Sequence, residues 1–276
     1  MKERIIVAIV CLPFLFIILF FLPSYIFAAL VAIVCAICAY ELYTSIMGDS
    51  NTRVCVYSTF SAALIPIGTY FGVGGLVFQA VILVLMSLLF VESIIVFRSK
   101  KQIPFVRIVI SLFGGALIPL MLSSLVALKA APEGRLFVLL PVISAFLTDA
   151  GAYFVGKFLG KRAAFPLVSP RKTVEGFVGG LITGVVSLAM YGVVLVLTTF
   201  HGVIFWALIL YGLVGGAFTE LGDLAFSLVK REYNIKDYGR LLPGHGGMLD
   251  RFDSMVFTAP AIYLLTLVMP AIVIRG

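Results

Sequence analysis

Charge is scarce in this chain of 276 residues: 12% is Asp, Glu, Lys or Arg, against 62% hydrophobic. That scarcity excludes an ordinary water-soluble domain, whose apolar fraction is near half. Long polar stretches are missing as well, so no segment between the apolar runs is large enough to fold as a separate soluble domain. Cysteine is limited to Cys11, Cys35, Cys38 and Cys55, all in or beside apolar segments of the first third. Cys35 and Cys38 form a CxxC, but mid-helix and with no histidine or second pair nearby, which reads as packing rather than metal or redox chemistry. There is no Walker P-loop, and no GxGxxG precedes a strand, so soluble nucleotide-binding folds find no support. Neither a fixed-period repeat nor an inverted pair of broken helices is present, which argues against a secondary transporter.

What the chain does have is apolar runs long enough to cross a hydrocarbon core of ~30 Å. Nine can be counted, at about 5–22, 24–47, 54–71, 75–97, 107–129, 136–159, 174–199, 204–229 and 254–274. The first follows Met-Lys-Glu-Arg like a signal peptide. Its apolar run of ~18 residues, with no small-residue cleavage site after it, reads better as an uncleaved helix. The expectation is an all-α integral membrane protein of about nine transmembrane helices with no soluble domain.

The net charge of +7 does not point to nucleic acid, because its distribution follows the membrane. With a cytoplasmic N-terminus, nine spans place seventeen Lys and Arg on the cytoplasmic side and only Lys129, Arg135 and Arg275 on the other. That positive-inside bias supports both the count and the orientation. It predicts a multi-pass protein of the inner (plasma) membrane, with its C-terminus outside and basic loops that attract anionic membrane lipids.

Residues 1–130 carry little chemistry and read as a scaffold of helices. Their intramembrane acids, Glu41 and Glu92, lie toward predicted cytoplasmic helix ends, where they can snorkel or pair with Arg53 or Arg98. Residues 131–276 carry the chemistry, with cytoplasmic loops at 157–173 and 230–253. Between Ser227 and Asp253, four carboxylates, five Lys or Arg and one of the chain's two histidines fall within 27 residues.

Glu220 and Asp223 are three apart on one predicted helix, so they share a face, with Ser227 one turn further on. Asp250 and Asp253 repeat that spacing at the start of the last helix, with Arg251 between them. Ionised carboxylates in a bilayer cost at least ~2.5–3.5 kcal/mol each and need a cation, a partner or water. One reading is an interhelical salt bridge and helix capping. The other is a Mg²⁺ site, since that ion takes one or two carboxylates and leaves room for phosphates; Asp223 and Asp250 would meet the need. Between the acid pairs, Pro243-Gly244-His245-Gly246-Gly247 is either a plain tight loop or a cradle of backbone N–H groups for anionic oxygens. Upstream, Asp149 is a mid-membrane acid followed by Gly151, Tyr153 and Gly156. The run Ser169, Pro170, Arg171, Lys172, Thr173, Glu175, Gly176 is either a positive-inside loop with a capped helix or a phosphate clamp.

The run of Ser227, Lys230, Arg231, Lys236, Asp237, Gly239, Pro243, His245, Gly246, Gly247, Asp250, Arg251 and Asp253 resembles the signature of the phosphatidate cytidylyltransferase family, also called CDP-diacylglycerol synthase. DAGAYF and SPRKTVEG resemble the family's second conserved region, with Ala150 in place of Thr and Arg171 in place of Lys. The first 130 residues match only as hydrophobic helices. The resemblance implies a nine-helix homodimer, with residues 1–130 a candidate dimer interface. It also implies an enzyme that makes CDP-diacylglycerol and pyrophosphate from CTP and phosphatidate for phospholipid biosynthesis.

Within that resemblance, the site is assigned as follows. Asp223 and Asp250 hold Mg²⁺, with Asp253 either a further ligand or an anchor for the ligands, and a second metal ion is compatible with this set. Lys230 acts on the phosphates, and His245 either helps the leaving pyrophosphate or holds the turn. Lys172, Arg231 and Lys236 contact phosphate, and Asp149, Tyr153, Ser169, Arg171, Thr173 and Glu175 line the substrates together with Ser227, Asp237, Gly246, Gly247 and Arg251. The phosphatidate phosphate is already an anion, so transfer needs in-line positioning and charge neutralisation rather than a strong base. An ion-coupled transporter would instead spread its acids to the midplane. A CTP-using lipid kinase would share the cytoplasmic carboxylates and differ in its products.

Overall fold

A backbone embedded in hydrocarbon must pair its own N–H and C=O groups, and a helix does so locally. The chain follows that rule in the computed structural model, which describes residues 18–48, 53–98, 102–199, 201–241 and 246–273. Most of the first apolar run, and His245 with Pro243 and Gly244, lie outside the described residues.

Contacts divide the chain into two groupings, Met1–Ala130 with Tyr233–Phe252, and Ala131–Glu232 with Asp253–Gly276. Tyr233–Phe252 packs with the first grouping.

In the first grouping, α1 is Ser24–Met47, α2 is Arg53–Tyr70, α3 is Gly74–Ile95 and α4 is Phe105–Ala130. A single π turn, Phe113–Leu117, interrupts α4. There Ser58 Oγ donates to the Ser111 carbonyl at 2.9 Å and Ser61 Oγ to that of Gly115 at 3.2 Å. Side-chain hydroxyls thus serve backbone oxygens where the regular ladder is disturbed. A Cβ at Gly115 would stand 2.8 Å from Ser61 Oγ and 2.9 Å from the Ser58 carbonyl, so glycine is what lets α2 and α4 approach. Tyr43, Val54, Cys55, Leu85, Leu89, Ile103 and Ile108 form the core of this grouping. Arg53 pairs with Glu92 at 3.6 Å, one of the two partners expected for that acid.

In the second grouping, α5 is Leu139–Leu159, α6 is Val174–Thr198 and α7 is Phe205–Glu232. The last helix, α8, is Leu249–Val268; it starts in the first grouping and continues in the second. The helices α5, α6 and α7 meet through glycine. A Cβ at Gly212 would lie 2.7 Å from the Gly184 carbonyl, and one at Gly179 2.5 Å from Val155 Cβ, so backbones touch where side chains cannot fit. Below this seam, Leu140, Leu188, Leu195, Leu208, Tyr211 and Ile262 pack as a core, with the Tyr211 hydroxyl donating to the Met269 carbonyl at 2.7 Å.

Seven helices among the described residues are long and apolar enough to cross a membrane. The 54–71 run is helical too, but Ser58, Thr59, Ser61 and Thr69 make it more polar than those seven. The all-α expectation is met apart from two small antiparallel strand pairs. Strands β1, Ala163–Phe165, and β2, Ser169–Thr173, pair antiparallel inside the 157–173 loop. Strands β3, Gly202–Val203, and β4, Ile272–Val273, form the other.

Candidate functional site

The acids and cations of the second grouping meet around Lys172. Strand β2 ends at Thr173, whose Oγ1 accepts the Gly176 N–H at 3.1 Å and caps α6. Glu175, in the first turn of α6, accepts the Lys161 and Arg162 N–H groups at 3.0 and 3.3 Å. These bonds close the hairpin onto the helix start and aim Lys172 inward. Its Nζ lies 2.8 Å from Asp223 Oδ2 and donates to Glu220 Oε2. Burial disfavours the ammonium, but Asp223 and Glu220 outweigh it and hold the Lys172 pKa above its ordinary value.

Around this pair stand further polar groups. Asp149, on α5, accepts from Ser254 Oγ at 3.1 Å and feels the charges of Asp223, Asp253, Lys172 and Glu220. Asp253 Oδ1 accepts the Ser254 N–H at 2.8 Å, and its Oδ2 lies 3.9 Å from Lys230 Nζ. The structure therefore brings together Asp149, Lys172, Asp223, Lys230 and Asp253, all singled out in sequence. It adds Glu220 and Ser254. Glu220 was legible as an acid on the Asp223 face, with salt bridging and function equally open; Ser254 carried no signal.

Other expected residues have structural partners. Thr173 and Glu175 hold the hairpin as described. Arg231 Nε donates to the Val168 carbonyl at 3.2 Å, tying α7 to the hairpin. Tyr153 is exposed beneath the Lys157 ammonium, 5.8 Å from its ring centroid. Arg171 is exposed on β2, Ser169 half-buried and Ser227 buried on α7.

In the first grouping, the segment after α7 closes on two carboxylates. Asp250 Oδ2 accepts the Tyr238 N–H at 2.8 Å and the Gly247 N–H at 3.0 Å. Glu41, from α1, accepts the Met248 N–H at 3.0 Å through Oε1 and the Leu249 N–H at 2.9 Å through Oε2. It thereby serves the unpaired donors at the start of α8. This corrects the expectation that Glu41 snorkels or pairs with an arginine. Its binding partners lie more than 200 residues away, beyond any local pattern. Gly246 adopts φ +83°, a conformation suited to glycine. Lys236, Asp237 and Arg251 are exposed.

No three His, Cys, Asp or Glu side chains among the described residues gather as ligands for one ion. A hard divalent cation does not need three, because water and phosphate complete its shell. Among the described residues of the second grouping, Asp149, Glu220, Asp223 and Asp253 stand near the ammoniums of Lys172 and Lys230. Glu220 Oε1 is buried with no hydrogen-bond partner. Excess negative charge and carboxylate oxygens fit a divalent ion.

A phosphatidate cytidylyltransferase of Staphylococcus saprophyticus is 44% identical over 133 residues, 48% of this chain and 50% of that protein. That of Bacillus subtilis strain 168 is 45% identical over 132 residues, 48% of each chain. That of Staphylococcus haemolyticus is 44% identical over 137 residues, 50% of this chain and 51% of the relative. The aligned region thus spans about half the length of the curated relatives. The match to the cytidylyltransferase family is longer and runs over residues 2–269, so the chain belongs to that family.

Proposed function

We propose that the protein is a phosphatidate cytidylyltransferase of the inner membrane, converting CTP and phosphatidate to CDP-diacylglycerol and pyrophosphate. The observation that supports this reading best is Lys172, a cation held against Glu220 and Asp223 beside Asp149, within a chain of this family. Lys172 and Lys230 offer ammonium donors to phosphate oxygens, and charge-assisted bonds of that kind are the strong ones. Asp223 and Asp253 supply carboxylate oxygens for Mg²⁺. Asp250 is assigned to the metal on the signature spacing alone. The ion, when bound, neutralises charge on phosphate oxygens.

The attacking phosphatidate oxygen is an anion and loses no proton, so the protein's task is alignment and screening of repulsion between two anions. The hairpin, locked by Thr173 and Glu175, keeps Lys172 in place for that task. The seventeen-to-three charge asymmetry supports a cytoplasmic N-terminus and active site, an external C-terminus, and access to cytosolic CTP. A homodimer follows from the family resemblance. Product identity tests the reading: CDP-lipid plus pyrophosphate bears it out, whereas phospholipid plus CDP marks a lipid kinase.

A further inference from the structure

Four backbone N–H groups of the signature segment, those of Tyr238, Gly247, Met248 and Leu249, end on two carboxylates. One belongs to Asp250, inside the segment. The other belongs to Glu41 on α1, a helix with no residue in the signature. Glu41 is only 5% exposed. The segment is built to receive it: a Cβ at Gly247 would stand 2.5 Å from Glu41 Oε2, and one at Gly239 would collide with the same carboxylate. Gly239 and Gly247, the latter read in sequence as part of a tight loop or an anion cradle, thus leave room for an internal acid. An ionised carboxylate at a helix start also lies favourably along the helix dipole.

We infer that Glu41 is a positioning residue for the reaction. It fixes Met248 and Leu249, and through them the backbone that presents Asp250. This role rests on the cytidylyltransferase reading. Glu92, the other intramembrane acid of this grouping, pairs with Arg53 instead, so it serves as the control.

The test uses full-length protein purified in detergent, with kcat and KM for CTP measured per folded molecule and amide exchange followed over residues 246–250. Glu41→Ala removes both acceptors, and Glu41→Gln keeps one. The expected result is a kcat loss of about 10- to 100-fold for Glu41→Ala and a smaller one for Glu41→Gln, with KM for CTP changed less than about threefold. Exchange at Met248 and Leu249 accelerates in both, because their bonds to Glu41 are weakened or lost. Glu92→Gln leaves kcat and exchange unchanged. Should the Glu41 variants not fold, Gly239→Ala displaces the same carboxylate and should reproduce the kcat loss. Folded Glu41→Ala with kcat within about twofold of wild type overturns the role. Unchanged exchange overturns the contact itself. Wild-type protein with no turnover overturns the cytidylyltransferase reading and this role with it, while the exchange data still judge the contact.

Discussion

Lys172 Nζ stands 2.8 Å from Asp223 Oδ2, joining a strand of the β1–β2 hairpin to a carboxylate on α7, and the same ammonium donates to Glu220. One cation between two carboxylates is a different arrangement from a lysine waiting free for phosphate. Such an ion group is costly to break from one side, since a buried charge left without its partner loses ~3–5 kcal/mol.

Lys172→Met should therefore lower both stability and activity. Glu220 is 1% exposed and would lose its cation. Adding Glu220→Gln removes that stranded charge and should recover most of the thermal stability without restoring turnover. Recovery of turnover in the double variant would show that Lys172 serves the fold alone.

The pH dependence of this pair has a definite sign. Lys172 holds its proton more tightly when folded than when unfolded. Its stabilisation is fully present below the ordinary lysine pKa of about 10.4 and fades as pH rises through the higher folded value. Thermal midpoints of wild type should show no Lys172-dependent change between about pH 6 and 9 and should fall above about pH 10.4. In Lys172→Met, that alkaline loss should shrink. An equal alkaline loss in both proteins would contradict the assignment.

Among the basic residues, Lys172→Ala and Lys230→Ala should raise KM for CTP or slow turnover. Loss of a charge-assisted phosphate bond worth ~1.5–3 kcal/mol corresponds to about 10- to 150-fold in kcat/KM. Lys100→Ala and Lys101→Ala should do neither, because neither lysine belongs to the signature or to the residues proposed for the site. Steady-state kinetics on the four variants decides it, and equal effects at all four would refute the partition.

How far the site could be read from sequence depended on distance along the chain. Asp223 and Glu220 share a helix face at a spacing of three, and Asp250 and Asp253 stand in a recognisable signature, so their chemistry was visible. Seven of the nine expected spans recur as long apolar helices, since hydrocarbon leaves such runs little choice. The β1–β2 hairpin was not visible. Ser-Pro-Arg-Lys-Thr has weak strand character and takes its shape from Glu175 and Arg231, which lie outside the strands. Glu41 was misread because its partners, Met248 and Leu249, are set by tertiary packing. The glycine cue misled in the same way: Gly247 was read as part of a tight loop or a cradle for anionic oxygens, whereas a side chain there would meet the Glu41 carboxylate.

Asp250→Asn separates two roles of that residue. Asparagine keeps an oxygen able to receive the Tyr238 and Gly247 N–H groups and removes the charge. The variant should fold with near-normal thermal stability and lack turnover at any Mg²⁺ concentration. Substantial activity at saturating Mg²⁺ would confine Asp250 to shaping the loop.

Pyrophosphate release by the purified protein, supplied with CTP, Mg²⁺ and phosphatidate in detergent, tests the central claim most directly. Wild type should release pyrophosphate and form CDP-lipid in equal amounts, only when both substrates are present. Asp223→Asn, which unbalances the Lys172 cluster but keeps its size, should release none while remaining folded. No pyrophosphate from folded wild-type protein, or full release by Asp223→Asn, would contradict the account.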